Sequence, residues 1–367
     1  MKPRRIMMTV DAVGGVWRYA LDLAAGLHRE GVATLLVGLG PGPDHAQESE
    51  AEAAPGLTLR WTDLPLDWLA GGPGEIANVP SRLADIANGS GVDLVHLNTP
   101  TQLGTGVFRQ PVVAASHSCL ATWWAAVHPG EDLPEKWTWN AALTGEGLRA
   151  ADAVLAPSAS HAAGLLAAYG PLPRLHVVHN SSQAQFPDVP KQNLVLAAGR
   201  WWDPGKNLSV LDEAAGNCAW PVIAAGPLQG PDGNLCQPRH AEAPGSLDRN
   251  ALNARLAEAA IFASTALYEP FGLAVLEAAR ASCALVLSDI PTFRELWDGV
   301  ALFVDPDDPE AVAAGFAALI ADPERRHALA AAAQKRAETY SSAAQMCSVL
   351  DVYAEAMAAA PELARAV

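Results

Sequence analysis

Cysteine is scarce and unpatterned in this sequence. Five cysteines (Cys119, Cys218, Cys236, Cys283 and Cys347) are scattered over 367 residues, odd in number and with no C-x-x-C pair. That spacing argues against a disulfide framework or a zinc site and points to a reducing, cytoplasmic setting. Charge is sparse too. Only 17% of residues are charged, and 24 Lys and Arg against 40 Asp and Glu leave a formal net charge of -16. An acidic chain of this kind is poorly suited to nucleic acid, and to more than peripheral contact with an anionic membrane. Long hydrophobic runs are missing, since no window reaches the ~18 uninterrupted apolar residues of a membrane span. The basic start, Met1 to Arg5, leads into an apolar run that Asp11 breaks, so it reads as a first strand rather than a leader. Any anionic ligand must therefore meet a local cluster of positive charge.

What is present is an apolar, segmented chain. Half of the residues are hydrophobic, and the length exceeds one ordinary core, so two domains are expected. Short β-rich runs at 5–10, 33–39, 57–61, 93–98, 112–116, 153–156 and 175–179 alternate with helical patterns such as 16–29 and 160–169. The pattern restarts with runs at 194–198, 222–225, 261–263, 285–287 and 301–304, and a helix from about Asn207. Buried strands separated by helices predict an α/β chain of two Rossmann-like, doubly wound parallel-sheet domains. The stretch 180–193, with Pro187 and Pro190, is the expected linker, and the alanine-rich tail after Asp308 is expected to be helical. Domains of 1–183 and 184–345 follow, with a last helix in 346–367 that packs back on the first domain. Ligands of such folds bind at the C-terminal ends of the strands, so two facing domains would share a cleft.

Two stretches carry charge where charge is rare. In "YEPFGLAVLE", Glu269 lies in the loop after the strand at 261–264, and Glu277 lies inside a helix predicted over 271–281. The amides of Phe271, Gly272 and Leu273 form that helix's N-terminus, which suits an anion or an oxygen-rich ligand. Helical side chains lean toward the N-terminus, so Glu277 points back to the same mouth. Carboxylates repel phosphate but accept well from vicinal hydroxyls, and a sugar nucleotide offers both. Taken singly, either acid is equally a solvated surface residue. In "AAGRWWDPGKNL", Arg200 follows the second half's first strand and Lys206 opens the next helix. Either alone is an ordinary surface cation, but their joint position in an acidic chain suggests a diphosphate cradle.

Together these residues resemble the signature of the family 4 retaining glycosyltransferases of GT-B fold: Gly199-Arg200, Lys206-Asn207, then Glu269 and Glu277 within "EPFGLAVLE". "DAVGGVWRYALDLAAGLHREG" is similar to the family's N-terminal glycine pair and helix, and "SDIPTFRELWDGVALFVDPDDPE" to the closing part of its second domain. The resemblance implies a hexosyltransferase with two domains facing a central cleft, moving a hexose from a nucleotide sugar, a UDP-sugar in preference to a GDP- or ADP-sugar. Arg200 and Lys206 would hold the diphosphate and stabilise the leaving group. Glu277 would take the ribose hydroxyls, and Glu269 with the amides near Phe271, Gly272 and Leu273 would hold the transferred sugar. Gly14 and Gly15 would approach the donor from the first domain, where a missing Cβ permits close backbone contact. His117 matches the histidine that faces the sugar, although it could simply be a satisfied strand-end histidine; His96 reads as structural. Asn98 stands where many members carry a second histidine, and Ser181 where they often have glycine.

No cofactor and no metal is expected, because cations and helix termini supply the positive field. "DPDDP", from Asp305 to Pro309, is a poor metal motif, with Asp308 better placed as a helix cap. Trp123 and Trp124, with Trp137 and Trp139 close by, suit an acceptor wall, or else core packing. The acceptor stays open between a glycan, a lipid-linked sugar and a small molecule. A sugar-nucleotide epimerase of the same fold, or a non-catalytic nucleotide-sugar-binding protein, are the alternatives.

Overall fold

The computed structural model describes residues 2–104, 107–172, 174–231 and 233–359. They form two units. The first takes residues up to 125, 130–181 and those from 342 onward; the second takes 126–129 and 182–341.

In the first unit the chain runs β1 (Arg5–Val10), α1 (Gly15–Arg29), β2 (Ala33–Gly38), α2 (His45–Ala53), β3 (Leu57–Trp61), α3 (Pro73–Ile76), α4 (Val79–Gly89), β4 (Leu94–Leu97), β5 (Val112–Ala115), α5 (Leu120–Val127), α6 (Glu135–Ala150), β6 (Ala153–Ala156), α7 (Ala159–Tyr169) and β7 (Leu175–Val177). All seven strands are parallel, in the order β3-β2-β1-β4-β5-β6-β7. Alternate side chains leave each strand on opposite faces, so the sheet builds two cores. Met7, Leu35, Val37, Val95 and Leu97 feed one face, and Ile6, Met8, Val10, Leu36 and Leu94 the other. Helix α1 shows why the sequence folds this way locally. Trp17, Ala20, Leu21 and Leu27 recur at helical spacing and are all buried on the second face. Order reverses between β1 and β4, so the loops after these strands frame a crevice at the switch point. Gly14 and Asn98 stand there.

The second unit runs β8 (Gln192–Ala198), α8 (Leu208–Ala215), β9 (Val222–Ala225), β10 (Glu242–Gly245), α9 (Arg249–Glu258), β11 (Ala259–Ser264), α10 (Leu273–Arg280), β12 (Ala284–Ser288), α11 (Pro291–Trp297), β13 (Leu302–Val304), α12 (Pro309–Ala321) and α13 (Pro323–Ala337). Its six strands are parallel, in the order β10-β9-β8-β11-β12-β13, with the switch point between β8 and β11. Phe262, Phe293, Trp297 and Phe316 are fully or almost fully buried against the two faces. Burial of each such side chain contributes roughly 1.5–3 kcal/mol. Pro309 and Pro323 open α12 and α13 at N1, each behind an aspartate, Asp308 or Asp322, whose carboxylate accepts from the first-turn amides.

The last helix, α14 (Ser342–Ala359), belongs to the first unit. Met346, Val349, Val352, Tyr353 and Ala356 enter the same core as α1, and a Cβ on Gly26 would meet Met346 Sδ at 2.7 Å. The tail beyond Ala359 lies outside the described residues. Several boundaries differ from the sequence expectation. Helix α10 begins at Leu273 rather than 271, because Gly272 adopts a left-handed conformation, φ 90°, and turns the chain into the helix from there. Likewise Lys206 closes a single 3-10 turn, Pro204–Lys206, and α8 starts only at Leu208, after Asn207 at φ 56°. Strand β10 is unexpected. Glu242-Ala243-Pro244-Gly245 has no strand composition, but an edge strand tolerates Pro, and its pairing with β9 is irregular.

Candidate functional site

The second unit gathers charge at the C-terminal ends of β8 and β11. Gly199 and Arg200 follow β8 directly. Gly226 packs so closely here that a Cβ on it would lie 1.9 Å from the Gly199 carbonyl oxygen, and its φ of 132° is open only to glycine. The Arg200 guanidinium sits 3.7 Å from Asp203 and over the Trp202 ring at 5.5 Å. Its buried Nε makes no hydrogen bond among the described residues. Asp203 accepts from the Gly205 amide at 2.9 Å and so shapes the turn that delivers Lys206.

Lys206 Nζ meets Glu269 Oε2 at 2.6 Å, with both side chains about one-fifth exposed, at 19% and 20%. The sequence assigned these two residues to different parts of the ligand; the structure pairs them. Both line one pocket with Ala198, Trp201, Ser264, Thr265 and Ala274. The turn bearing Lys206 is bonded to the loop bearing Glu269. Leu267 N and Tyr268 N donate to the Gly205 carbonyl at 2.9 and 3.4 Å, and Thr265 Oγ1 donates to the carbonyls of Lys206 and Asn207 at 3.3 and 3.1 Å.

Glu277 lies one turn inside α10 and is buried, 7% exposed. A buried carboxylate demands partners. Oε1 accepts from Ser182 Oγ at 2.8 Å and lies 3.6 Å from the Arg249 guanidinium, at the first position of α9. Neither partner was evident in the sequence; Arg249 in "SLDRNAL" carried only the signal of a cation following the helix-capping Asp248. Among the described residues no side chain caps α10, whose N-cap is Gly272. Of the other residues expected here, Leu273 opens the helix, whereas Phe271 is buried in the core against Tyr340 and can offer a ligand only its backbone.

In the first unit, Gly14 is the N-cap of α1 and Gly15 its first residue, exposed and again without a capping side chain. His117 follows β5 and lines a second pocket with Tyr19, Ser116 and Asn180. Asn98 donates through Nδ2 to the Thr9 carbonyl at 2.6 Å, which leaves its Oδ1 to accept from His117 Nε2 at 2.8 Å. His117 therefore carries its proton on Nε2. The Tyr19 ring stands edge-on to it, centroids 4.3 Å apart. Desolvation, together with His96 and His161, pushes its pKa down to about 3, so the ring is neutral. His96 is fully buried with Nδ1 2.7 Å from the Tyr353 hydroxyl, and burial lowers its pKa to about 4. Trp123 and Trp124 do not join that pocket; with Trp137 they form a separate aromatic cluster, with centroids 5.4 to 6.4 Å apart.

A family described as Glycosyltransferase Family 4 matches residues 13–181, and one described as Glycosyl transferases group 1 matches residues 185–336. No curated protein matches significantly. Among solved structures, a sucrose-phosphate synthase from Thermosynechococcus elongatus is similar with TM-score 0.78 at 16% identity, over 97% of this chain and 100% of that one. Anabaena HepE in complex with UDP and glucose is similar with TM-score 0.73 at 17% identity, over 95% and 99%. WaaG, described as a glycosyltransferase involved in lipopolysaccharide biosynthesis, is similar with TM-score 0.68 at 14% identity, over 99% and 100%.

Proposed function

Because this chain belongs to the family 4 glycosyltransferases and has the GT-B fold, we propose that it moves a hexose from a nucleotide sugar to a hydroxyl acceptor, with retention and without a metal ion. The observation that carries this is the joint placement of Arg200, Lys206, Glu269 and Glu277 around the ends of β8 and β11. Two cations and an uncapped helix N-terminus suit a diphosphate, and the unpartnered Nε of Arg200 is a donor in search of an acceptor. Those same cations neutralise the charge that grows on the leaving diphosphate, the part a divalent ion plays elsewhere. Glu277, with Oε1 held by Ser182 and Arg249, serves the ribose hydroxyls. Glu269 serves the transferred sugar. Occupied by hydroxyls of that sugar, it is poorly disposed as a nucleophile, which favours departure and attack on one face through an oxocarbenium-like transition state.

UDP is the favoured nucleotide, in line with the UDP and glucose bound to the similar HepE. Neutral His117 would turn its Nε2 proton from Asn98 to a sugar hydroxyl, and the Trp123, Trp124 and Trp137 cluster would receive a glycan, lipid-linked or small-molecule acceptor. Among the described residues no helix is long and apolar enough to cross a membrane, and a cytoplasmic enzyme is the setting proposed. A thermal-shift panel of nucleotide sugars tests the reading, since a specific ligand at 100 times its Kd stabilises the folded state by about 2.7 kcal/mol. The expected result is one clear donor, turnover that survives chelation, and a product anomer matching the donor by NMR. An inverted product, or no stabilising nucleotide sugar, would refute it.

A further inference from the structure

Lys206 and Glu269 are not merely neighbours in one pocket. The turn that carries Lys206 and the loop that carries Glu269 are bonded to each other through the Gly205, Lys206 and Asn207 carbonyls. The two loops therefore cannot part without losing those bonds, and the 2.6 Å pair opens by side-chain rotation alone. We infer that Glu269 is an internal counter-ion, which an arriving diphosphate displaces from Lys206 and which makes the site prefer a nucleotide sugar over the bare nucleoside diphosphate. The inference rests on the donor site proposed above.

Three states of the pocket make the preference plain. In the empty site Lys206 and Glu269 neutralise each other. When a bare nucleoside diphosphate binds, Lys206 turns to the phosphates. Glu269 then remains as a carboxylate only 20% exposed, beside a second anion and with no donor from the ligand. That arrangement is repulsive and poorly solvated. When a nucleotide sugar binds, hydroxyls of the sugar donate to Glu269 and replace the lysine it gave up. The substrate thus satisfies both members of the pair, whereas the product left after transfer satisfies only one. Glu269 reclaims Lys206 once the sugar has gone, and this hastens release of the nucleoside diphosphate, a step that often limits turnover.

The test uses inorganic pyrophosphate, which carries the diphosphate chemistry whatever the nucleotide, with calorimetry on the full chain. Glu269→Gln removes the charge and keeps the shape, and Glu269→Ala serves as a second variant in case the first folds poorly. Either should bind pyrophosphate roughly fivefold tighter than the unaltered protein, a factor equal to about 1 kcal/mol, and should be inhibited more strongly by the nucleoside diphosphate product. Lys206→Ala should bind pyrophosphate more weakly. If Lys206→Ala leaves pyrophosphate affinity unchanged, the donor-site reading itself fails. If Lys206→Ala weakens it but neither Glu269 variant tightens it, the donor site stands and the counter-ion role is overturned.

Discussion

The two units share a topology yet differ in how they handle polar groups at the strand ends. Around β8 and β11 of the second unit the groups are charged and held in pairs, Lys206 with Glu269 and Arg249 with Glu277. Around β4 and β5 of the first unit the inward polar groups are neutral: Asn98, Tyr19 and three histidines whose pKa values burial lowers to about 3 or 4. The same fold provides helix N-termini and strand ends in both. What separates them is side-chain chemistry, which suits the second unit to an anion and the first to uncharged hydroxyls. Fold and function are thus decided at different positions.

The comparison breaks most sharply at Lys206. If the second unit alone handles the diphosphate, Lys206→Ala should lower kcat/KM by roughly 10²–10³, about 2.7–4 kcal/mol, the usual cost of losing a positioned transition-state donor. Arg200→Ala should cost less, since its side chain is 41% exposed. Steady-state kinetics with the donor found by thermal shift decides it; a loss under threefold in both variants would remove the distinction between the units.

Acid should act on the first unit. His96 is fully buried and His161 4% exposed, each with a pKa lowered to about 4 chiefly by desolvation, against about 6.5 in an unfolded chain. Below pH 6.5 the unfolded state takes up a proton that the folded state refuses, so stability falls as pH falls, until about pH 4. Each such histidine should cost about 2 kcal/mol between pH 7 and pH 5. Denaturant titrations at the two pH values should show the drop, and His96→Gln should flatten it; an unchanged pH slope in that variant would place the acid sensitivity elsewhere.

Much of this was legible in the sequence, and the reasons are local. Strands of a parallel sheet are buried on both faces, so runs such as Leu194 to Ala198 and Val222 to Ala225 stand out as unbroken apolar stretches. Arg200, Lys206, Glu269 and Glu277 were visible because they are charges in an otherwise apolar setting. What stayed hidden depends on distant parts of the chain. Arg249 reaches Glu277 across 28 positions, Ser182 across 95, and Tyr353 reaches His96 across 257. The start of α10 was misplaced because nothing in "EPFGL" fixes where Gly272 turns left-handed. The tautomer of His117 follows from Asn98 and Thr9, which no spacing announces.

A smaller effect concerns the nucleoside half of the proposed donor site. Glu277→Gln keeps one acceptor oxygen but loses the charge that attracts two hydroxyl donors, so nucleoside-diphosphate affinity should fall about tenfold, near the low end for bonds to charged groups. Pyrophosphate, which has no ribose, should bind the variant as it binds the unaltered protein. Arg249→Gln should show the same pattern at about half the free-energy cost, because the ion pair it loses is partly solvated, with Arg249 35% exposed. Equal losses for pyrophosphate and nucleotide would instead assign Glu277 to the phosphates.

The smallest expected change separates Ser182 from Arg249 as groups that hold Glu277. Ser182 donates to Oε1 at 2.8 Å, and its Oγ also accepts from Ala184 N at 3.2 Å. Ser182→Ala removes both bonds, but Arg249 remains beside the same carboxylate oxygen, so the charge keeps a partner. The net loss should be that of one ordinary hydrogen bond, about 0.5–1 kcal/mol, seen as a two- to fivefold weaker nucleoside-diphosphate Kd. Combined with Arg249→Gln, the change should exceed the sum of the single effects, since each group matters more to the shared carboxylate oxygen once the other is gone. Calorimetry on the four proteins of that cycle measures the excess. Additive losses would mean that Ser182 and Arg249 act on Glu277 independently.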